Sequence, residues 1–397
     1  MKTIVSAAVG FCLVLVLSFV SEPLVKEAAA QTKTLKIGLI TSMTGPIAPA
    51  MSVMTDALKP VEELMDKRGG ITVNGQKYAV QIAVEDDQST PFGAVAAANK
   101  LIQSGAKFII APLFPPCYVA ITPIVEQAKI LTVLPFGAVP DIVGAGKRYT
   151  FGAGTFLYSP PVAVDYLKKH YPNVKKIAML SPDDPGAKNN IACAEKEAQA
   201  RGLDLVFRER FKPGSEDFYP TLTRLLQTKP DAIDVVLSIE PWSAGIINQS
   251  RELGFTGPVY ASAGLLGDIN VLKGLITDKY QDNLFQTGPD VKSDSMLPMM
   301  KEYRALLEPK AKNPFQFSHL AVLDAVYTMK QGIEKAQSLD ADRVAEALET
   351  MKTIDTTVGK GRMAGKDLFG VDHVVRRPII ISGIVNGKVF CEFSNKD

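Results

Sequence analysis

The sequence predicts an α/β protein of two lobes, each with a mostly parallel sheet flanked by helices. Three observations lead there. Between Leu35 and Leu134, short apolar runs of strand length alternate with segments whose apolar residues recur every three or four positions. The same alternation starts again at Ile177 and runs to Ser262. Long helices and a β-hairpin then close the chain, and no low-complexity linker separates the units, so several crossings of the chain are expected to join the lobes. A length of 397 residues suffices for two or more domains, and 46% apolar with 22% charged residues is an ordinary globular balance. The net charge of +2 offers no argument for nucleic acid or an acidic membrane surface as partner.

The elements follow in order. Leu35 to Ile40 is a strand, and Thr41, Ser42 and Thr44 make a hydroxyl-rich loop closed by Gly45-Pro46. A helix from Met51 to Lys67 carries Met51, Met54, Leu58, Val61, Leu64 and Met65 on one face. In open α/β sheets a ligand lies beyond the carboxyl ends of the strands, and a helix N-terminus there suits an anion. Val73-Asn74-Gly75-Gln76 is a hairpin turn before a strand at 78–84. Thr90 is placed to cap a helix that Pro91 opens, running to about Ser104. A strand at 108–111, a helix at 117–128 and a strand at 131–134 complete the first unit. The second has strands at 177–180, 205–211, 232–239 and 259–262, with helices at about 189–201, 218–227 and 243–253 between them. A strand at 284–287, core helices at 317–335 and 340–351, and a hairpin at 378–393 turning at Asn386-Gly387 finish the chain.

The N-terminus reads as a secretory signal peptide. Lys2 precedes an uncharged apolar stretch from Ile4 to Val20, and Ala28-Ala29-Ala30 supplies small residues for cleavage before Gln31. The apolar run approaches the ~18 residues of a membrane span, and the alanines favour cleavage over anchoring. Cys12 leaves with the signal. Cys117, Cys193 and Cys391 remain and allow at most one bridge. The three histidines lie far apart and no Cys-x-x-Cys occurs, so neither a metal nor a cofactor is expected.

Catalytic motifs are lacking. Pro241-Trp242-Ser243-Ala244-Gly245 misses the first glycine of a nucleophile elbow. There is no phosphate loop, no dinucleotide glycine pattern and no His-Glu-x-x-His. Asp86-Asp87 and Asp183-Asp184 are read as loop carboxylates that cap helices rather than as acid/base pairs. A non-enzymatic binding protein is expected; a secreted α/β hydrolase is the alternative of another class.

Several motifs then carry a resemblance. Lys36-Ile37-Gly38 with Thr44-Gly45-Pro46, Gly69-Gly70-Ile71, Glu85-Asp86-Asp87-Gln88 and Pro91, and Ala96 to Leu101 occur in that order. Asp217-Phe218-Tyr219, Pro230-Asp231-Ala232 and Arg251-Glu252-Leu253-Gly254 continue it. The chain resembles the periplasmic solute-binding proteins of the branched-chain amino-acid type, which serve ABC importers. The resemblance implies two Rossmann-like lobes, a three-crossing hinge and a ligand buried by closure. It also implies a periplasmic location, a membrane permease as partner, a monomer and no contact with nucleic acid. The expected division is a signal peptide at 1–30, one lobe from 33–154 plus 286–358, and a second from 155–285 plus 359–397.

At the positions matching the family's pocket, this chain departs from an amino-acid site. Phe114, Pro115, Pro116, Cys117 and Tyr118 replace small and serine residues, and Phe136-Gly137-Ala138 lacks the usual hydroxyl. Pro185-Gly186 stands for Tyr-Gly, and the acid that meets an ammonium is replaced near Ala263. A buried ammonium without a partner costs several kcal/mol. The expected ligand therefore has an apolar or aromatic body, with a carboxylate and no α-amino group as one form of it. Phe114, Tyr118, Phe136 and Trp242 are the expected apolar wall. Thr44, Tyr118, Tyr158 and amides near Cys117 are the expected polar contacts, and Glu240 is an acid at a strand end able to pair a cation. Amino-acid or amide binding, and a sensor role, stay open as alternatives.

Overall fold

A computed structural model of the protein describes residues 32–294 and 296–393. The predicted signal peptide lies outside the described residues. The first run of strands is β1 (Lys33–Thr41), β2 (Ile71–Val73), β3 (Gln76–Asp86), β4 (Phe108–Ile110), β5 (Leu131–Leu134) and β6 (Thr150–Gly152). The chain crosses and forms β7 (Lys176–Pro182), β8 (Asp204–Phe211), β9 (Ala232–Val235), β10 (Val259–Ala261) and β11 (Leu284–Gln286). It returns for β12 (Ile354–Thr356), β13 (Gly359–Ala364) and β14 (Val374–Arg376), then crosses a last time into β15 (Ile380–Val385) and β16 (Lys388–Phe393).

Two sheets result, in the orders β12-β13-β14-β6-β5-β4-β1-β3-β2 and β16-β15-β11-β10-β9-β7-β8. Their centres are parallel, and the antiparallel pairs lie toward the edges. One expected boundary is corrected. The sequence reading places residues 359–376 in the second lobe, yet β13 and β14 belong to the first sheet. Met363 pairs with Val375, and both side chains are buried in the first lobe's core, so the third crossing falls after Arg376.

Local chemistry explains the elements. Asn74 and Gly75 both take positive φ, which a tight turn between β2 and β3 requires. The Thr90 hydroxyl accepts the Gly93 amide at 3.0 Å and starts the helix Pro91–Gln103. The helix expected at 51–67 is two, Ala48–Asp56 and Leu58–Lys67. Pro60 has no N–H to give the Asp56 carbonyl, and the break falls beside that carbonyl. The strand at 232–239 is shorter than expected, because the chain turns at Leu237 with φ +54. The helices Pro160–His170 and Pro298–Leu307 and the strands β6, β12, β13 and β14 were not anticipated.

Each sheet is covered on both faces. The helix Leu320–Ala336, buried along most of its length, lies in the core on one face of the first sheet. Helices Pro91–Gln103 and Pro115–Gln127 cover the other. The second sheet divides its core in the same way, with helices Pro160–His170 and Pro185–Ala200 on one face. Loops at the carboxyl ends of the parallel strands meet between the lobes.

Candidate ligand-binding cleft

The meeting surfaces are largely apolar, with an exposed contact from Asn189 Nδ2 to Asp141 Oδ2 at 3.4 Å between the lobes. Pro115 opens the helix after β4, and Gly186 lies in the first turn of the helix after β7. A Cβ on Gly186 would stand 3.5 Å from Pro115 Cγ and 3.5 Å from Leu237 Cδ2, so the lobes touch there. Phe136, beyond β5, lies 6.0 Å from the ring of Phe156 on the first crossing and 5.3 Å from that of Phe317. Phe136 and Leu265 each pack against cores of both lobes.

The second lobe's wall is braced by its backbone. Leu237 donates its N–H to Ala263 O at 2.9 Å, and Ser238 to Leu265 O at 3.1 Å. The left-handed backbone of Leu237 costs on the order of 1 kcal/mol, a strain that functional sites retain when the surroundings over-determine it. Gly264, at φ +94, makes it possible: a Cβ there would stand 2.9 Å from Leu237 Cα.

The acids at the cleft are engaged. Glu240 Oε1 accepts the Asp268 amide at 2.6 Å. Asp268 Oδ1 caps the helix Ile269–Leu275, and its Oδ2 accepts the Phe317 amide at 3.2 Å from across the cleft. Burial raises the Asp268 carboxyl above the ordinary range, against the pull of the amides of Asn270, Val271 and Phe317. Asp184 Oδ1 caps its helix through the Ala187 amide at 2.9 Å. Asp86 holds the first loop: Oδ1 accepts the Met43 amide at 2.9 Å and Oδ2 the Thr44 hydroxyl at 2.6 Å. Burial pushes the Asp86 carboxyl up, but the Thr44 hydroxyl and the amides of Gln88, Met43 and Thr44 outweigh it, and the net shift is downward. Thr44 is thus an exposed brace at the rim.

Other predicted residues sit elsewhere. Cys117 and Tyr118 are fully buried in the first lobe's core. Burial, with the negative charge of Asp87 beside it, pushes the Cys117 thiol up to about 12. Tyr118 is near Thr150 at the amino end of β6, away from the carboxyl ends where the cleft lies, so the expectation of Tyr118 as wall and donor is corrected. Trp242 packs edge-on against Phe211 at 5.6 Å, on the second lobe's core. Its helix already starts at Glu240, and the turn of that helix carries the indole toward β8. Ala138 and Ala263 are fully buried. Ala138 ties the β5 loop to the first crossing, its N–H donating to Gly154 O at 3.2 Å and its carbonyl accepting the Thr155 hydroxyl at 2.7 Å. Phe114 is half-buried against the first lobe's core, and Gly137 lies beside Phe156. Pro185 opens the helix Pro185–Ala200; its side chain lies outside the described residues.

The three crossings enclose a pocket. Thr155, Phe156 and Tyr158 line it from the first, Thr287 and Gly288 from the second, and Arg377 from the third. Phe317 closes one wall and is shared with the Phe136 cluster. The Tyr158 hydroxyl donates to Asp367 Oδ1 at 2.9 Å, and the Arg376 guanidinium lies 4.6 Å over its ring. Burial first, then Asp367, raises the Tyr158 phenol far above its ordinary value, so it stays neutral. Arg377 Nη1 donates to the buried Asp324 Oδ2 at 2.7 Å. Phe156, Leu237, Leu265, Phe317 and Arg377 are not among the residues expected from the sequence. The Gly264 turn was the available signal for Leu237; nothing local marks the others.

Two α/β lobes joined by three crossings, with an apolar seam at the strand ends, define a hinged binding protein. The chain belongs to the periplasmic binding protein family, whose sequence profile matches residues 34–388. It is a binding protein of the kind its resemblance implied, not an enzyme. It is 27% identical to the Leu/Ile/Val-binding protein BraC3 of Rhizobium johnstonii over 82% of this chain and 86% of that one. A leucine-, isoleucine-, valine-, threonine- and alanine-binding protein of Pseudomonas aeruginosa is 26% identical, over 82% and 84%. Among solved structures, a leucine-binding protein from Thermotoga maritima superposes with a TM-score of 0.74 at 21% identity, covering 90% of this chain and 98% of that one. A solute-binding protein from Rhodopseudomonas palustris in complex with 4-hydroxybenzoate superposes with 0.75 at 19% identity, covering 91% and 96%.

Proposed function

We propose that this protein is a periplasmic substrate-binding protein that encloses a small ligand with an apolar or aromatic body and delivers it to the permease of an ABC importer. It acts as a monomer after removal of residues 1–30. Pro115, Phe136, Gly137, Phe156, Leu237, Leu265 and Phe317 form the contact surface, with Tyr158 at the hinge. The observation that carries this reading is the seam itself. It is apolar, and the acids beside it, Glu240 and Asp268, already accept backbone amides. An ammonium there would compete with the Asp268 amide at Glu240 and with three backbone amides at Asp268, which weakens its pairing. Neighbours of the same fold bound to benzoate, 4-hydroxybenzoate and 3,4-dihydroxybenzoate support the aromatic reading. Neighbours that bind leucine or isoleucine make those amino acids the necessary controls.

Thermal unfolding with each compound in turn tests this. A ligand at about 100 times its Kd stabilises the native state by about 2.7 kcal/mol, a shift of several degrees. Benzoate-type acids or their amides are expected to raise the melting temperature. A shift with leucine alone would overturn the reading.

A further inference from the structure

We infer that the pocket between the three crossings is an anion subsite, in which the Arg377 guanidinium receives the carboxylate of the ligand. The inference deepens the function proposed above and rests on it. Arg377 follows β14 on the third crossing, at the point where the chain passes between the lobes. Its hydrogen bond to protein uses Nη1 alone, and the acceptor Asp324 also takes the Thr357 amide at 3.1 Å and the Thr357 hydroxyl at 3.0 Å. A guanidinium has five N–H donors in a rigid fork. The Nε–Nη2 edge, which matches the two oxygens of a carboxylate, makes no hydrogen bond to the described residues.

The site is built to hold that group in place. Asp324 fixes one end of the fork, and the Phe317 ring lies 5.9 Å from Cζ. Gly154 of the first crossing lies against the guanidinium: a Cβ there would stand 3.1 Å from Nε and 3.4 Å from Nη2. A bare backbone at 154 is therefore what lets the cation lie between the crossings. Charge is close to balanced beforehand, Arg377 against Asp324, with Arg376 and Asp367 both on Tyr158. The carboxylate is thus captured through directed hydrogen bonds rather than by an excess of positive charge. Phe156 and Phe317 wall the pocket and also flank Phe136, so a carboxylate at Arg377 points its apolar body into the aromatic seam.

Titration calorimetry on the full mature protein tests this with matched pairs, benzoate against benzamide and isovalerate against isovaleramide, and with leucine. The wild type is expected to favour an acid over its amide by about tenfold or more, the scale of a hydrogen bond to a charged group. R377K and G154A are expected to erase most of that preference, read as the ratio of acid to amide affinity within each pair. The double variant R377Q/D324N, which leaves no lone buried charge, is expected to erase it entirely, with thermal melts verifying the fold. Acid preference that survives in all three variants, or its absence from the wild type, overturns the subsite. If both acids and amides bind but the variants match the wild type, the Arg377 assignment alone fails. If leucine alone binds, the functional reading fails with it.

Discussion

At the scale of single residues, two buried polar groups make separable predictions. Tyr118 has its ring in the first lobe's core, and its hydroxyl has no hydrogen-bond partner among the described residues. Removing an unpaired buried hydroxyl costs little. Y118F is therefore expected to change stability by less than about 1 kcal/mol in a denaturant melt and to leave ligand affinity unchanged. A large loss of affinity would return Tyr118 to the cleft. Asp234 on β9 is fully buried, and burial, against the opposing donors of Ser262 and Tyr260, lifts its carboxyl to about 7. An unfolded aspartate releases its proton near pH 3.9, roughly. Between those values the folded state keeps a proton that the unfolded chain has lost, so this group makes stability fall as pH climbs from about 4 to 7. D234N is expected to melt above the wild type at pH 8, with the gap closing toward about pH 4.5. Residue types alone revealed neither position. A tyrosine after a strand reads equally as wall or core, and a leucine gives no sign of the left-handed turn at 237.

At the scale of elements, periodicity and end signals were most of what the sequence offered, and they were strong where elements are long. Thr90-Pro91 marked its helix start, and Asn74-Gly75 its turn, through chemistry that is local. T90A is expected to cost about 1 kcal/mol, read as a lower melting midpoint with unchanged ligand preference. Three-residue strands such as β6 and β14 are too short for any alternation to show. Trp242 illustrates a different gap. Its helix was foreseen, but a start three residues earlier than expected rotates the indole onto Phe211. Spacing from a motif places a residue along the chain, and the azimuth around a helix depends on the starting residue.

At the scale of the molecule, function depends on the two halves meeting at few points. Gly186 is one, with Pro115 and Leu237 at van der Waals distance from any side chain placed there. G186L is expected to wedge the lobes apart, seen as a larger radius of gyration in solution scattering. Apparent affinity then falls about tenfold if the closed population drops to about a tenth. Unchanged scattering and affinity would mean that closure does not run through this contact. The two-lobed architecture was legible because it repeats one pattern. Which lobe took residues 359–376 was not, since only pairing in space decides it.

The order of the strands has a consequence for synthesis. The first sheet waits for β12, β13 and β14, and the second for β15, which covers the side of β11 and pairs Leu284 with Ile384. Both halves therefore need chain that follows residue 350, and neither sheet can close until that late segment has been made. A stop codon placed after Arg376 should yield a product that proteases clear, because both β15 beside β11 and the Arg377 partner of the buried Asp324 are missing.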